Sequence, residues 1–121
     1  MASQKQQYTI LYGRLSQEDE RAGESNSILH QRDLLESYAQ AKGFENTLFL
    51  ADDGYSGTNF DRPSWKKIIE MIEAGEVSTL IVKDTSRLGR EYLQVGSYME
   101  IYFPQKNVRF IAVNDLSLIH I

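Results

Sequence analysis

Thr79-Leu80-Ile81-Val82-Lys83-Asp84-Thr85-Ser86-Arg87-Leu88-Gly89-Arg90 decides the fold. Thr79 to Val82 is a short apolar run, the pattern of a strand covered on both faces in a parallel sheet. The polar, arginine-bearing segment that follows marks where such a strand leaves the sheet. Working outward, Tyr8 to Tyr12 is rich in β-forming residues and reads as a first strand, Thr47 to Ala51 as a second and Val108 to Val113 as a fourth. Helical patterns fall between them. One starts near Ser27, carries Ile28, Leu35 and Tyr38 on one face, and is closed by Gly43. A second opens on Pro63, places Trp65, Ile68, Ile69 and Ile72 on one stripe, and stops at Gly75. A third runs from Leu93 to Phe103, more suited to core than to a partner surface, and ends at Pro104. Strands alternating with helices predict an α/β domain, a mostly parallel four-stranded sheet with helices on both faces.

In such sheets ligands gather at the carboxyl ends of the strands. Arg14 and Ser16 follow the first strand, Asp53 the second, and Asp84 to Arg90 the third, so the polar motifs converge on one edge. The connections there are long: Gln17 to Asn26 is acidic and glycine-bearing, and Asp52 to Arg62 is turn-rich.

That edge brings together one hydroxyl nucleophile, Ser16, with the guanidinium groups of Arg14, Arg87 and Arg90. A serine attacking a phosphodiester without a metal needs fork-shaped positive donors on the non-bridging oxygens. The chain has no cysteine, and neither a GxGxxG nor a GxxxxGK[ST] loop. The expectation is metal-free phosphoryl transfer on a nucleic-acid backbone, with no cofactor. Arg87 and Arg90 share a face if their segment is helical.

Composition bounds the setting. The chain has 121 residues, which fits one domain with a single core. Met1 to Gln7 is polar and reads as a flexible tail rather than a signal peptide, and no apolar run reaches membrane-spanning length. These features point to a soluble, cytoplasmic domain. A net charge of −4 argues against tight DNA binding by this piece alone, because duplex affinity comes mainly from neutralised phosphates. Acids cluster at Glu18-Asp19-Glu20 and Glu24, apart from Lys83, Arg87 and Arg90.

Five stretches in order, Tyr12-Gly13-Arg14-Leu15-Ser16, Gln31-Arg32, Asp53-Gly54-Tyr55-Ser56-Gly57, Asp61-Arg62-Pro63 and Lys83 to Arg90, carry a resemblance. From Tyr8 to Asp115 the chain resembles the catalytic domain of the serine recombinases, the resolvase/invertase family, and most of all its large transposon and phage branch. The resemblance implies that Ser16 attacks the scissile DNA phosphate, forms a phosphoserine link and frees a 3′ hydroxyl, so that resealing needs no ATP. It assigns Arg14, Arg62, Arg87 and Arg90 to the phosphate, Gln31 to support from the first helix, Asp53 to orienting arginines, and Ser56 to the neighbourhood of the site. It also implies recombination-site DNA as partner and a tetramer in the active complex. Small resolvases carry an aspartate where this chain has Ser86. Asp84 is the acid two residues upstream, and the general acid/base has no assigned residue.

Each of these residues also has an ordinary reading. A serine after a strand is usually just polar loop, a surface arginine usually pairs with a nearby acid such as Glu91 to little effect, and Asp-Gly and Ser-Gly are plain turn formers. Tyr12 and Tyr55 read either as DNA contacts or, more commonly, as packing, and His30 as helix surface. Two other functions compete: an α/β module that binds a phosphorylated small molecule or nucleotide, and a non-catalytic regulator derived from a recombinase. The last six residues, Leu116 to Ile121, are what CTG TCT CTT ATA CAC ATC encodes, which resembles a transposase end sequence used in sequencing adapters. The expectation is a catalytic domain over 8–115, truncated at its end, with adapter read-through over 116–121, and inactive alone on specific sites.

Overall fold

The structure, a computed structural model, describes residues 7–15, 27–53, 62–84 and 96–115. Four strands form one parallel sheet: β1 (Tyr8–Leu15), β2 (Thr47–Asp53), β3 (Val77–Val82) and β4 (Arg109–Ala112), in the order β2-β1-β3-β4. Helices α1 (Ile28–Ala41) and α2 (Pro63–Glu73) lie between the strands, and a π turn (Tyr98–Tyr102) leads into the short α3 (Phe103–Gln105). This is the expected α/β architecture, with β1 and β3 at its centre.

Strand alternation sorts the core into two layers. Ile10, Tyr12, Leu80, Val82 and Ala112 point to one face, where Trp65, Ile68 and Ile72 of α2 and Phe103 of α3 cover them. Leu11, Ile81 and Ile111 point to the other, against Leu35 and Ala39 of α1. With both faces covered, the central strands cannot alternate polar with apolar, which is why Thr79 to Val82 reads as a continuous run.

Helices α1, α2 and α3 close alike. Phe44 N–H reaches the Ala39 carbonyl, Glu76 N–H that of Met71 and Val108 N–H that of Phe103, each at 2.9 Å. The bond requires a left-handed residue just before the donor, supplied by Gly43, Gly75 and Asn107 at φ of 79°, 76° and 58°.

Several boundaries differ from those expected. β1 runs on to Leu15 and β2 to Asp53, because the two strands keep pairing through Arg14↔Asp52 and Leu15↔Asp53. Arg14 and Asp53 therefore lie within strands and not after them. β3 begins earlier, at Val77, and β4 is shorter, since Val113–Asp115 turns into a 3-10 helix. The inward residues of α1 are Gln31, Leu35 and Ala39, while Ile28 and Tyr38 are half-buried. In α2, Met71 joins the core and Ile69 sits at its margin. Pro104 lies inside the last helical turn. It has no N–H to give, and the chain widens just before it, with Phe103 N–H bonded to the Tyr98 carbonyl five residues back.

Candidate active site

The carboxyl edge of the sheet holds two buried arginines, each fixed by a different device. Arg14 sits near the end of β1 with none of its surface exposed. Pairing between β1 and β3 stops at Tyr12↔Val82, so the ladder offers Arg14 nothing further on that side. The Gln31 carboxamide takes over: its Oε1 accepts from Arg14 N–H at 3.1 Å, and its Nε2 donates to the Arg14 carbonyl at 3.0 Å. A side-chain amide here does the work of a peptide group, and it explains why a polar residue belongs on the buried face of α1. Gly13 leaves room for it, since a Cβ there would lie 3.1 Å from Gln31 Oε1 and 3.3 Å from the Phe49 ring.

Arg62 enters from the start of α2 and is also fully buried. Its Nη1 donates to the Tyr12 hydroxyl at 3.0 Å, and its guanidinium lies 5.7 Å from the Trp65 ring centroid and 6.0 Å from that of Tyr12. Tyr12 in turn donates to Asp52 Oδ2 at 2.8 Å. The same carboxylate caps α2, accepting Ser64 N–H at 2.9 Å on Oδ1 and Trp65 N–H at 3.0 Å on Oδ2. Pro63 occupies the first turn, and Arg62, at the cap position, makes no side-chain cap bond of its own. The cap therefore comes from a neighbouring strand. Burial pushes the Tyr12 phenol well above its ordinary range; the Arg62 cation works against that shift, and Asp52 adds to it.

Of the residues singled out in the sequence, Arg14, Gln31 and Arg62 come together here. Asp53 is exposed at the end of β2, and the carboxylate joined to an arginine network is its neighbour Asp52, 2% exposed. Asp84 is half-buried just beyond β3, where the preceding Lys83 carbonyl accepts from Asn114 N–H at 2.8 Å. Ser16, Ser56, Ser86, Arg87 and Arg90 lie outside the described residues. The sequence placed Asp52 in a turn-rich connection and read Tyr12 as packing or a DNA contact, not as a bridge between Asp52 and an arginine. The available signal was the alternation of the strand, which turns Tyr12 and Arg14 to one face and would have paired Asp52 with them had β2 been extended by two residues.

A β2-β1-β3-β4 parallel sheet reverses its winding at β1, and the arginines stand at the carboxyl end of that strand. The class is a doubly wound α/β domain with two buried arginines at the carboxyl edge of its sheet. Comparison with known proteins makes the class specific. Residues 9–119 match the resolvase N-terminal domain family, and the chain belongs to it. The N-terminal catalytic domain of TP901-1 integrase is similar in structure, with 27% identity, a TM-score of 0.76, and coverage of 90% of this chain and 78% of that one. A serine recombinase from Sulfolobus solfataricus is similar at 25% identity and a TM-score of 0.70, covering 91% of this chain and 69% of that one. An uncharacterized immunity region protein 3 of Bacillus phage phi105 is 35% identical over 65 residues, 54% of this chain and 78% of that protein. Among the described residues no helix is long and apolar enough to cross a membrane.

Proposed function

We propose that this domain cuts and rejoins DNA at recombination sites, with Ser16 as nucleophile. Ser16 Oγ attacks the scissile phosphorus, a 5′-phosphoserine bond forms, and the bond to the 3′ oxygen breaks. The serine proton leaves to a base, and the 3′ oxygen gains one to become a hydroxyl. Religation is the reverse attack by a 3′ hydroxyl, so the bond energy is kept in the covalent link and neither metal nor ATP enters. Arg14, Arg62, Arg87 and Arg90 hold the non-bridging oxygens, whose charge grows in the transition state. Four subunits on two duplexes, in the cytoplasm and within a mobile element, complete the reading.

The observation that carries it is the pair of buried arginines at one sheet edge, with β1 ending at Leu15, one residue before Ser16. Both arginines are buried in the chain by itself, and the state to test is the DNA complex. The complete recombinase containing this domain is mixed with recombination-site DNA, quenched in detergent, and assayed for protein bound covalently to a 5′ end. The native protein is expected to form the adduct and Ser16→Ala none. An adduct that survives in Ser16→Ala overturns the assignment. A native protein that forms no adduct but binds phosphorylated small molecules belongs to the competing phosphate-binding reading.

A further inference from the structure

We propose that Asp52 is a positioning residue of the cleavage site: through the Tyr12 hydroxyl it fixes how Arg62 presents its guanidinium to the DNA phosphate. The proposal rests on the recombinase reading above. It begins with the bonding rules of a carboxylate, which accepts and never donates. Asp52 meets three donors, Ser64 N–H, Trp65 N–H and the Tyr12 hydroxyl, at 2.9, 3.0 and 2.8 Å. The tyrosine proton is thereby drawn toward Asp52. The lone pairs of Tyr12 Oη are left for the other side, where Arg62 Nη1 arrives at 3.0 Å. Were the hydroxyl turned the other way, two donors would face each other across that contact. The polarity of the bridge is thus set by Asp52.

The bridge is also rigid. The two backbone bonds anchor the carboxylate to the first turn of α2, the same turn that carries Arg62. Tyr12 comes from the centre of the sheet, its ring 5.5 Å from that of Trp65. Asp52 therefore ties β2, β1 and α2 at one point, and the ring faces of Tyr12 and Trp65 restrict the guanidinium plane. The upward shift of the Tyr12 phenol keeps its proton in place, so the bridge retains its donor across the working range of the protein. A phosphate clamp has to be oriented before the reaction begins, and a fixed acceptor on one nitrogen supplies that orientation.

The test measures single-turnover cleavage and DNA affinity in the complete recombinase for Asp52→Asn and Tyr12→Phe. Asp52→Asn keeps the shape but puts an amide where only acceptors fit; Tyr12→Phe keeps the ring and removes the bridge. Each is expected to slow adduct formation on the order of tenfold, less than the roughly 10²–10³ lost with a direct donor, while DNA affinity stays unchanged. In protein with nitrogen-labelled arginine, the Arg62 Nη–H resonances are expected to be slowly exchanging in the native protein and to lose that protection in both variants. Native cleavage rates in both variants, or Arg62 resonances that stay protected in Asp52→Asn, overturn the proposal. Ser16→Ala run alongside separates the two readings. An adduct lost only in Ser16→Ala leaves the recombinase reading standing and removes the role of Asp52, whereas no adduct in the native protein removes both.

Discussion

Each end of helix α2 meets a tyrosine, a carboxylate and a cation, and the two sets behave differently. At its start, Tyr12, Asp52 and Arg62 are buried, and the carboxylate also takes two backbone N–H groups. At its end, Glu73 accepts from the Tyr102 hydroxyl and, at 3.2 Å, from Lys106 Nζ, in a set open to solvent. The chemical inventory is nearly the same. What differs is the environment: a buried group that loses its partner cannot turn to water, while an exposed one can. The buried Tyr12–Asp52–Arg62 set is therefore held to one arrangement, and the exposed Glu73 set is not.

The largest test of this contrast is Asp52→Ala. It strands two helix N–H groups and the Tyr12 hydroxyl and withdraws a buried negative charge from beside Arg62. Each buried donor left without its acceptor costs about 1–3 kcal/mol. Urea unfolding is expected to show a midpoint lowered accordingly with an unchanged slope. If Asp52→Ala is no more damaging than Glu73→Ala, the two ends of α2 are equivalent and the contrast is wrong.

Most of the architecture was legible in the sequence because its signals are local. The Trp65, Ile68 and Ile72 spacing, the Pro63 start and the Gly43 and Gly75 stops are all written within one or two turns of their own element. The site was less legible because its decisive features are non-local. Whether Asp52 or Asp53 faces inward depends on how far β2 continues, and that is settled by pairing with Arg14 and Leu15, almost 40 residues away. Gln31 was tied to the site only through the resemblance, since nothing in its own helix announces that a strand across the core has run out of ladder partners. The alternation that placed Ile10 and Tyr12 in the core also carries Arg14 inward, but a charged residue on a strand end reads as exposed until its partners are known.

The Gln31 bracket gives a second, smaller way to sharpen the contrast. Gln31→Leu keeps the bulk but leaves the buried Arg14 N–H and carbonyl without that amide, a loss of about 1–3 kcal/mol. Gly13→Ala reaches the same place from the other side, because its Cβ meets Gln31 Oε1 at 3.1 Å and must displace it. If both act through the bracket, the double variant costs clearly less than the two single costs added, as a double-mutant cycle reads directly. Simple addition would place the damage of Gly13→Ala at Phe49 instead.

The smallest effect is expected at the open end of α2. The Tyr102 hydroxyl, and then Lys106, hold the Glu73 carboxyl below its ordinary range, while burial and the same Glu73 contact push the Tyr102 phenol upward. A carboxyl whose folded value is lowered contributes stability above its unfolded value and loses it as the pH falls through the folded one. Glu73→Gln should therefore leave the neutral unfolding midpoint nearly unmoved and slightly flatten its decline in acid, below the ordinary glutamate range. For Tyr102 the sign is opposite: a raised folded value contributes at neutral pH and is lost as the pH climbs through it, so Tyr102→Phe should flatten the alkaline limb. Salt should weaken the Lys106 contact as well, because exposed charges are screened. A Glu73→Gln protein whose midpoint falls as far as that of Asp52→Ala would mean that exposure does not separate these two sets, and the rigidity assigned to the buried set would need another cause.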